Sequence, residues 1–300
     1  MPDPRPSPSL RALVAGLVDY AGLFPPASLT LSYAAARYAG YRESRDAWML
    51  GRFVVPVDRL GELAAAAIGL LSPGTPAWRL SALVGDDVRA DASRIRAFND
   101  EQRGRFEVDA VEAKAADAER LALVARALGA ELEVYIELPY EPDPRSLLEA
   151  VRRAGLRAKI RTGGVTSAAF PSAAQVARFV RRCAELGVPF KATAGLHHPL
   201  RGEHRLTYDA NSPTATMFGF LNLFVAAAIA AEGRATEAEL VAVLEERDRG
   251  AFGFTAESLR WRGHEIPVAA VAKARESFAV AFGSCSFREP VDDLQELALL

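Results

Sequence analysis

The chain has little cysteine, no excess of basic charge and no long hydrophobic run. Cys183 and Cys285, its two cysteines, are too few for a disulfide framework or a thiolate zinc site and fit the reducing cytoplasm. Its 36 basic residues face 38 acidic ones, so it lacks the positive field that binding to nucleic acid or to an anionic membrane requires. The longest apolar run, 217–231, is shorter than the roughly 18 residues that span a bilayer. We therefore expect a cytoplasmic protein without nucleic acid or membrane partners.

Half of the 300 residues are hydrophobic, which is enough for a packed core. Short β-branched runs alternate with stretches rich in Ala, Leu and Arg, as expected for alternating strands and helices. The predicted strands are 52–55, 80–84, 106–111, 132–137, 158–161, 189–193 and 278–283. The first six begin 26 to 31 residues apart, the length of one βα unit. This α/β pattern predicts a (β/α)8 TIM barrel that occupies residues 1–300 as a single domain.

The regular spacing of the predicted strands breaks before the last one. The break predicts a mainly helical insertion at about 198–275. An almost wholly apolar helix is expected over 212–233, with Ser212 as its N-cap, and a second helix over 236–247. A helix that is apolar on all sides is buried or lies in an interface, so a homo-oligomer is one possible outcome.

Two predicted strands end in a lysine that is followed by small residues. Lys159 precedes Ile-Arg-Thr-Gly-Gly, and Lys191 precedes Ala-Thr-Ala-Gly. Because an ammonium group is costly to bury, a lysine at this end of a barrel strand points into the mouth or has an acidic partner. At a separation of about 6 Å, repulsion of about 3 kcal/mol would lower one lysine pKa by about two units. A neutral amine is the form that attacks a carbonyl group to give a Schiff base.

Structural roles for these basic side chains are also consistent with the pattern. Each lysine could be a solvated strand end or could form an ion pair with Glu112 or Glu137. Arg161 lies two residues after Lys159 and faces the same way, so it could bind a carboxylate or phosphate or form an outward ion pair. The occurrence of two lysines on consecutive strands, each followed by Thr and Gly, favours the functional interpretation.

The order of these segments resembles the class I deoxyribose-phosphate aldolases, barrels that carry a Schiff-base lysine on one strand and a second lysine on the next. Four further segments carry the resemblance. They are Val18-Asp-Tyr-Ala-Gly-Leu-Phe-Pro-Pro at the first strand, Phe53-Val-Val-Pro-Val at the second, Glu107-Val-Asp-Ala-Val at the strand with the catalytic aspartate, and Phe282-Gly-Ser-Cys-Ser at the phosphate loop. The resemblance covers most of residues 15–195 and the last twenty.

The resemblance implies a metal-independent lyase without a cofactor that forms or cleaves a carbon–carbon bond of a small carbonyl compound with an anionic group. Lys159 is the expected nucleophile, Lys191 lowers its pKa, Asp109 transfers protons and Asp19 occupies an acidic position. The expected substrate-binding residues are Arg161, Thr162, Gly163, Thr193, Gly195, His197, His198, Gly283 and Ser284. Leu-His-His-Pro replaces the family's second glycine after Lys191, so the substrate should differ from that of the family.

Two other functions are consistent with the sequence. His197, His198 and His204 could hold a metal ion together with a carboxylate, as in a metal-dependent barrel hydrolase or lyase, although neither an H-x-H nor an H-E-x-x-H motif occurs. A non-catalytic binding or scaffold protein could instead use the apolar helix of the insertion for association. Cys285 has no nearby base in the sequence and is expected to be a small buried hydrophobe.

The last predicted loop has features both for and against an anion site. Backbone N–H groups of 283–286 precede a terminal helix that Pro290 is expected to open, an arrangement suited to a phosphate. Glu289, Asp292 and Asp293 would repel an anion at the same helix terminus. The sequence alone leaves the two alternatives open.

Overall fold

The computed structural model describes residues 6–72, 74–233 and 235–300. The strands in these ranges are β1 (Val18–Tyr20), β2 (Leu50–Pro56), β3 (Trp78–Leu83), β4 (Phe106–Lys114), β5 (Glu133–Glu137), β6 (Arg157–Arg161), β7 (Phe190–Thr193), β8 (Gly202–Arg205), β9 (Thr214–Met217), β10 (Phe252–Phe254), β11 (Ser258–Trp261), β12 (His264–Pro267) and β13 (Ala279–Ser284). Strands β1 to β7 and β13 pair in parallel and close into a barrel. The predicted (β/α)8 barrel is therefore confirmed.

A helix follows each barrel strand. The helices of the described ranges are α1 (Pro8–Val14), α2 (Leu31–Glu43), α3 (Leu60–Ala67), α4 (Val88–Glu101), α5 (Ala118–Leu128), α6 (Arg145–Arg153), α7 (Ala173–Leu186), α8 (Phe220–Ala231), α9 (Glu237–Glu245), α10 (Val268–Ser277) and α11 (Arg288–Glu296). Of these, α2 to α8 and α11 are the eight helices that follow the barrel strands. The apolar side chains between strands and helices form one continuous buried cluster.

Helix α7 has a defined cap at each end. Ser172 and Gln175 form a capping box, in which each side chain accepts a hydrogen bond from the backbone N–H of the other residue. The helix ends at Gly187, whose φ of 64° is the left-handed conformation that glycine adopts without steric cost. Cys183 is fully buried on the apolar face of this helix.

The insertion between β7 and β13 is less helical than predicted. Residues of β9 pair antiparallel with β8 to form a hairpin, so Ser212 is not an N-cap. Helix α8 begins after Gly219, where a side chain would collide with the backbone of Pro199 and Leu200. The second predicted helix is confirmed as α9, which begins after the capping box of Thr236. Strands β10 to β12 and α10 complete the insertion.

Helix α8 is apolar on all sides because it lies between the barrel wall and an outer layer. Phe220 and Phe224 contact Phe282 of β13, with ring centroids 5.4 and 6.0 Å apart. Residues 220–230 are all buried within the chain, so the helix presents no face to a partner. The scaffold interpretation, which required this helix to be accessible, therefore loses its basis. None of the helices in the described ranges has the length and apolar character needed to cross a membrane.

The polar residue in α8 connects three segments of the insertion. The amide of Asn222 donates to the carbonyl oxygens of Val243 and Glu246, both at 2.7 Å. Its oxygen accepts a hydrogen bond from the backbone N–H of Arg201 at 3.0 Å. Asn222 thus satisfies backbone groups at the end of α9 and at the start of the hairpin, which explains an amide inside an otherwise apolar helix.

We expect Asn222→Ala to lower the free energy of unfolding by about 2–4 kcal/mol, because it leaves several backbone groups in the interior without hydrogen-bond partners. Urea denaturation monitored by circular dichroism provides the measurement. The exposed Asn211 provides the matched control, and Asn211→Ala should cost less than about 0.5 kcal/mol. Equal stability of the two variants would contradict this role of Asn222.

Candidate active site

A cavity of about 510 Å³ opens at the carboxyl ends of the barrel strands. This is the end at which barrel enzymes place their active sites. Strand ends contribute Val54, Leu83, Glu112, Lys159, Arg161, Thr193 and Gly283 to its lining. The β8–β9 hairpin adds His204, Arg205, Leu206, Thr207, Tyr208 and Met217, so the insertion forms one side of the cavity.

Two lysines and three carboxylates form a buried network below this cavity. Lys159 and Lys191 are neighbours in register on β6 and β7. Glu112 of β4 bridges them, because its two oxygens accept hydrogen bonds from Lys159 Nζ at 2.6 Å and Lys191 Nζ at 2.7 Å. Lys159 Nζ also donates to Glu137 at 2.7 Å, and Lys191 Nζ donates to Asp19 at 2.5 Å. Each ammonium group therefore has two carboxylate partners.

The carboxylates change the electrostatics predicted from the sequence. Burial alone would raise the pKa of Glu112, but Lys159 and Lys191 hold it well below its usual range. Burial alone would lower the pKa of Lys191, but Asp19 and Glu112 raise it above its usual range. The expectation that lysine–lysine repulsion governs the site was therefore wrong, because a shared carboxylate lies between the two cations. The alternative, that the lysines form ion pairs with Glu112 or Glu137, is confirmed.

The two lysines differ in their access to the cavity. Lys159 belongs to the lining together with Glu112, whereas Lys191 lies deeper and is 1% exposed. The Lys191 ammonium lies 5.3 Å from the ring centroid of Tyr135, within cation–π range. An incoming molecule can therefore reach Lys159, while Lys191 can act on it only through its neighbours.

Asp109 does not join the lysines, contrary to the sequence prediction. Arg52 Nε donates to Asp109 Oδ1 at 2.7 Å, and Arg79 Nε donates to Oδ2 at 2.7 Å. Strand β4 continues to Lys114, and its register with β3 shifts at Asp109, so the strand has a bulge there. Asp109 lies three residues, or about 10 Å, closer to the amino end of the strand than Glu112 does. Glu112 is therefore the acidic residue that β4 contributes to the site.

Two residues expected to bind substrate shape the backbone instead. Thr162 is fully buried, and its hydroxyl donates to the carbonyl oxygen of Ala194 at 2.6 Å. Gly163 packs so closely on Gly195 that a Cβ added to it would lie 2.8 Å from the Gly195 Cα. Gly195 itself requires glycine because its φ is 72°. Thr193 and Gly195, in contrast, line the cavity as predicted.

His197 and His198 line the cavity and are paired with carboxylates of α11. His197 Nδ1 lies 2.9 Å from Glu289 Oε2, and His198 Nδ1 lies 2.6 Å from Asp293 Oδ2. Burial alone would lower the pKa of His197, but hydrogen bonds to Cys285 and Glu289 raise it to about 10. His197 is therefore a cation that Glu289 neutralises.

The third histidine is held in a ring stack. The imidazole ring of His204 stacks on that of His198, and the two ring centroids are 3.5 Å apart. Burial, and then His198, lower the pKa of His204 to about 4. Among the described residues, no group of three or more His, Cys, Asp or Glu side chains is arranged to hold a metal ion. The metal-dependent interpretation therefore gains no support from the histidines.

The loop after β13 is occupied by side chains of the chain itself. Gly283 lines the cavity, whereas Ser284 is buried with its hydroxyl 3.5 Å from His197 Nδ1. Helix α11 begins at Arg288, two residues before the predicted start, and Glu289 lies in its first turn. Because Glu289 already complements the positive end of this helix, the loop offers a poor site for a phosphate.

Two residues of the cavity carry features that the sequence did not indicate. Cys285 is buried as predicted, but it lines the cavity, and its Sγ lies 3.5 Å from the hydroxyl of Tyr208. Tyr208 also donates to Glu289 at 3.2 Å. These contacts cross from the hairpin to the last barrel strand and helix, and such pairings between distant segments have no local sequence signal.

No protein-family model matches the chain, and no curated protein matches its sequence. Solved structures of dihydropteroate synthase from Xanthomonas albilineans are similar to it. They are complexes with 7,8-dihydropteroate, with indole-2-carboxylic acid and 6-chloroguanine, and with 4-aminobenzoic acid. Each is 16% identical to this chain and covers 95% of it and 93–94% of its own chain, with TM-scores of 0.41–0.42. A likeness of this degree carries no argument about the reaction.

We expect Glu112→Gln to lower the free energy of unfolding by about 3–5 kcal/mol, because it removes the charge that compensates two buried ammonium groups. Denaturant titration at pH 7 measures the loss. The exposed Asp100, which pairs with Arg103, provides the control, and Asp100→Asn should cost less than about 1 kcal/mol. A Glu112→Gln loss as small as that of the control would show that the lysines do not depend on this carboxylate.

The raised pKa of His197 predicts a pH dependence of stability. Folding favours the protonated imidazole, so its contribution of about 2 kcal/mol is complete below pH 6.5 and is lost as the pH rises through about 10. The stability difference between the wild type and His197→Asn should therefore shrink between pH 7 and pH 10.5. Parallel urea titrations at both values measure this difference, and a constant difference would refute the assignment.

Proposed function

We propose that the chain is an enzyme, a lyase that binds a small carbonyl compound to Lys159 as a Schiff base and forms or cleaves an adjacent carbon–carbon bond. The observation that carries the proposal is the position of this lysine. Lys159 lines a cavity at the catalytic end of the barrel and contacts two carboxylates, Glu112 and Glu137. A primary amine with proton acceptors in contact with it is the arrangement that amine addition to a carbonyl group requires.

A structural role explains the network less well than a catalytic one. Replacing a buried ion pair by well-packed apolar residues is often neutral or stabilising, so stability alone does not account for the four buried charges of Asp19, Glu112, Lys159 and Lys191. The chain has only four lysines among its 36 basic residues, and two of them lie side by side here. Arginine carries most of the remaining positive charge, so the use of lysine at these positions favours chemistry that needs a primary amine.

The charge of the network is unchanged by the proposed covalent step. An iminium ion carries the same single positive charge as the ammonium group that it replaces. Glu112 and Glu137, which contact the Lys159 ammonium, would therefore also stabilise the iminium ion. A site arranged in this way requires no reorganisation of charge as the intermediate forms.

The same contacts provide a route for the protons. Lys159 transfers one proton to Glu112, and the neutral amine then adds to the carbonyl carbon to form a carbinolamine. Glu112 returns the proton to the carbinolamine hydroxyl, which leaves as water and produces the iminium ion. While Lys159 is neutral, Glu112 retains only the charge of Lys191 beside it, so its pKa rises from the low value of the resting site. In the cleavage direction a carboxylate of the site removes the proton of a hydroxyl group on the β carbon, the bond between the α and β carbons breaks toward the iminium ion, and the β-carbon fragment leaves as an aldehyde. The remaining enamine is protonated at its α carbon, and water hydrolyses the resulting iminium ion to release the second product and Lys159; bond formation is the reverse of these steps.

Lys191 has a positioning role in this scheme. It remains charged and holds Glu112 and Asp19 in place, while Lys159 carries out the addition. The resemblance to class I deoxyribose-phosphate aldolases supports the assignment, because acidic residues on the first and fourth strands and lysines on the sixth and seventh converge here. The residue on the fourth strand is Glu112 in place of the expected Asp109.

Borohydride reduction in the presence of aldehydes and oxo acids should add the mass of the carbonyl compound to Lys159, because the reagent converts the iminium ion to a stable secondary amine. Peptide mapping by mass spectrometry locates the label. Lys159→Met should abolish labelling, and Lys191→Met should reduce it at least 100-fold. The exposed Lys273 provides the control, and Lys273→Met should label like the wild type.

The choice of variants separates the proposal from its alternatives. Labelling that persists in Lys159→Met, or that occurs equally at Lys114 and Lys273, would show that the modification is not specific to the cavity. Failure of a broad set of carbonyl compounds to label the folded wild type would overturn the Schiff-base mechanism.

A further inference from the structure

The rim of the cavity carries one cation without an acidic partner. Arg205, the last residue of β8, lines the cavity and is exposed, and no carboxylate in the described part of the chain pairs with it. Arg161 lines the same cavity from the end of β6 and lies 3.5 Å from Glu137, a long contact for an ion pair. Two guanidinium groups are therefore available to a bound molecule, and one of them is not neutralised.

The remaining cations of the cavity are already paired. Lys159 contacts Glu112 and Glu137, and His197 contacts Glu289. These carboxylates would repel a second anion that approached the same groups. An anionic group on a ligand is therefore directed toward Arg205 and Arg161.

The opposite side of the cavity is apolar. In the closed barrel, β2 and β3 lie across from β6 and β7. These two strands contribute Val54 and Leu83 to the lining. The segment after β1, the neighbour of β2, adds Ala21, Phe24, Pro25 and Pro26. A polyhydroxylated chain placed here would leave hydroxyl groups without hydrogen-bond partners, whereas a hydrocarbon group would be stabilised by burial.

We propose that the substrate is an oxo acid with a hydrocarbon substituent. Its carboxylate binds Arg205 and Arg161, its carbonyl group faces Lys159, and its hydrocarbon group packs against Phe24, Val54 and Leu83. This inference rests on the proposed function for the carbonyl group, but the binding of the carboxylate and the hydrocarbon group follows from the cavity walls alone.

A carboxylate fits the site better than a phosphate. The backbone N–H groups of the loop after β13 would be the natural phosphate site of such a barrel, but Glu289 stands at that helix terminus. The planar guanidinium group of Arg205 can form two parallel hydrogen bonds to either anion, so the occupied loop is what favours the carboxylate. The hairpin that carries Arg205 therefore determines which carbonyl compounds enter.

The first experiment compares borohydride trapping of phenylpyruvate with that of its methyl ester, which lacks the negative charge. Arg205→Met should reduce the trapping efficiency for phenylpyruvate at least tenfold and change that for the ester less than twofold. Arg205→Lys should recover part of the loss. Arg260, an exposed residue of β11 that pairs with Glu265, provides the control, and Arg260→Met should leave both efficiencies unchanged.

A second experiment requires no Schiff base. Lys159→Met protein is titrated with 3-phenylpropionate, a carboxylate without a carbonyl group, and with 3-phenylpropanol, by calorimetry. Adding Arg205→Met to this protein should weaken binding of the acid at least tenfold and leave binding of the alcohol unchanged. If Arg205→Met weakens binding of the acid in this way but the wild type traps no carbonyl compound, the anion site is supported and only the Schiff-base chemistry is refuted.

Two results would overturn the inference. One is equal binding of 3-phenylpropionate by the Lys159→Met protein and by the same protein with Arg205→Met added. It would show that this arginine does not bind the carboxylate. The other is more efficient trapping of glyceraldehyde 3-phosphate than of phenylpyruvate by the wild type, which would show that the cavity selects a phosphorylated, hydroxylated chain.

Discussion

The arrangement of the site depends on the cost of burying an ammonium group inside the barrel. Lys191 is almost completely buried, so it requires full compensation, and Asp19 and Glu112 provide it from strands on either side. Glu112 extends the compensation to Lys159, which reaches the cavity. The nucleophile that we propose is thus held in position by one of the carboxylates that the buried Lys191 requires.

The charged interior extends toward the amino ends of the strands. Arg52 pairs with Asp109 at 2.7 Å and with Glu133 at 3.1 Å, and Arg157 pairs with Glu133 at 3.1 Å. Asp19 connects the lysine network with the ion pairs nearer the amino ends of the strands, because it accepts hydrogen bonds from Lys191 and from the backbone N–H of Arg52.

The insertion completes a cavity that the barrel alone would leave open. Its hairpin contributes Arg205 and Tyr208 to the lining, and Tyr208 contacts Cys285 and Glu289 on the last strand and helix. The barrel provides the groups for the proposed covalent chemistry, whereas the insertion provides the groups that we expect to select the substrate. This division is common in barrel proteins, whose loops at the carboxyl ends of the strands vary independently of the core.

The barrel, and the position of Lys159 and Lys191 on neighbouring strands, could be predicted from the sequence, because β-branched runs at regular intervals and local helix caps are short-range signals. The sequence offered Glu112 and Glu137 as ion-pair partners and Asp109 as the catalytic acid, and the choice among them depends on contacts between strands. The bulge at Asp109 and the continuation of β4 move the carboxyl end of that strand to Glu112, and pairing between strands sets this register. The hairpin was likewise missed, since β8 and β9 form only by pairing with each other. Contacts between segments far apart in the chain leave no periodic pattern in the sequence, and those contacts determine the chemistry of the site.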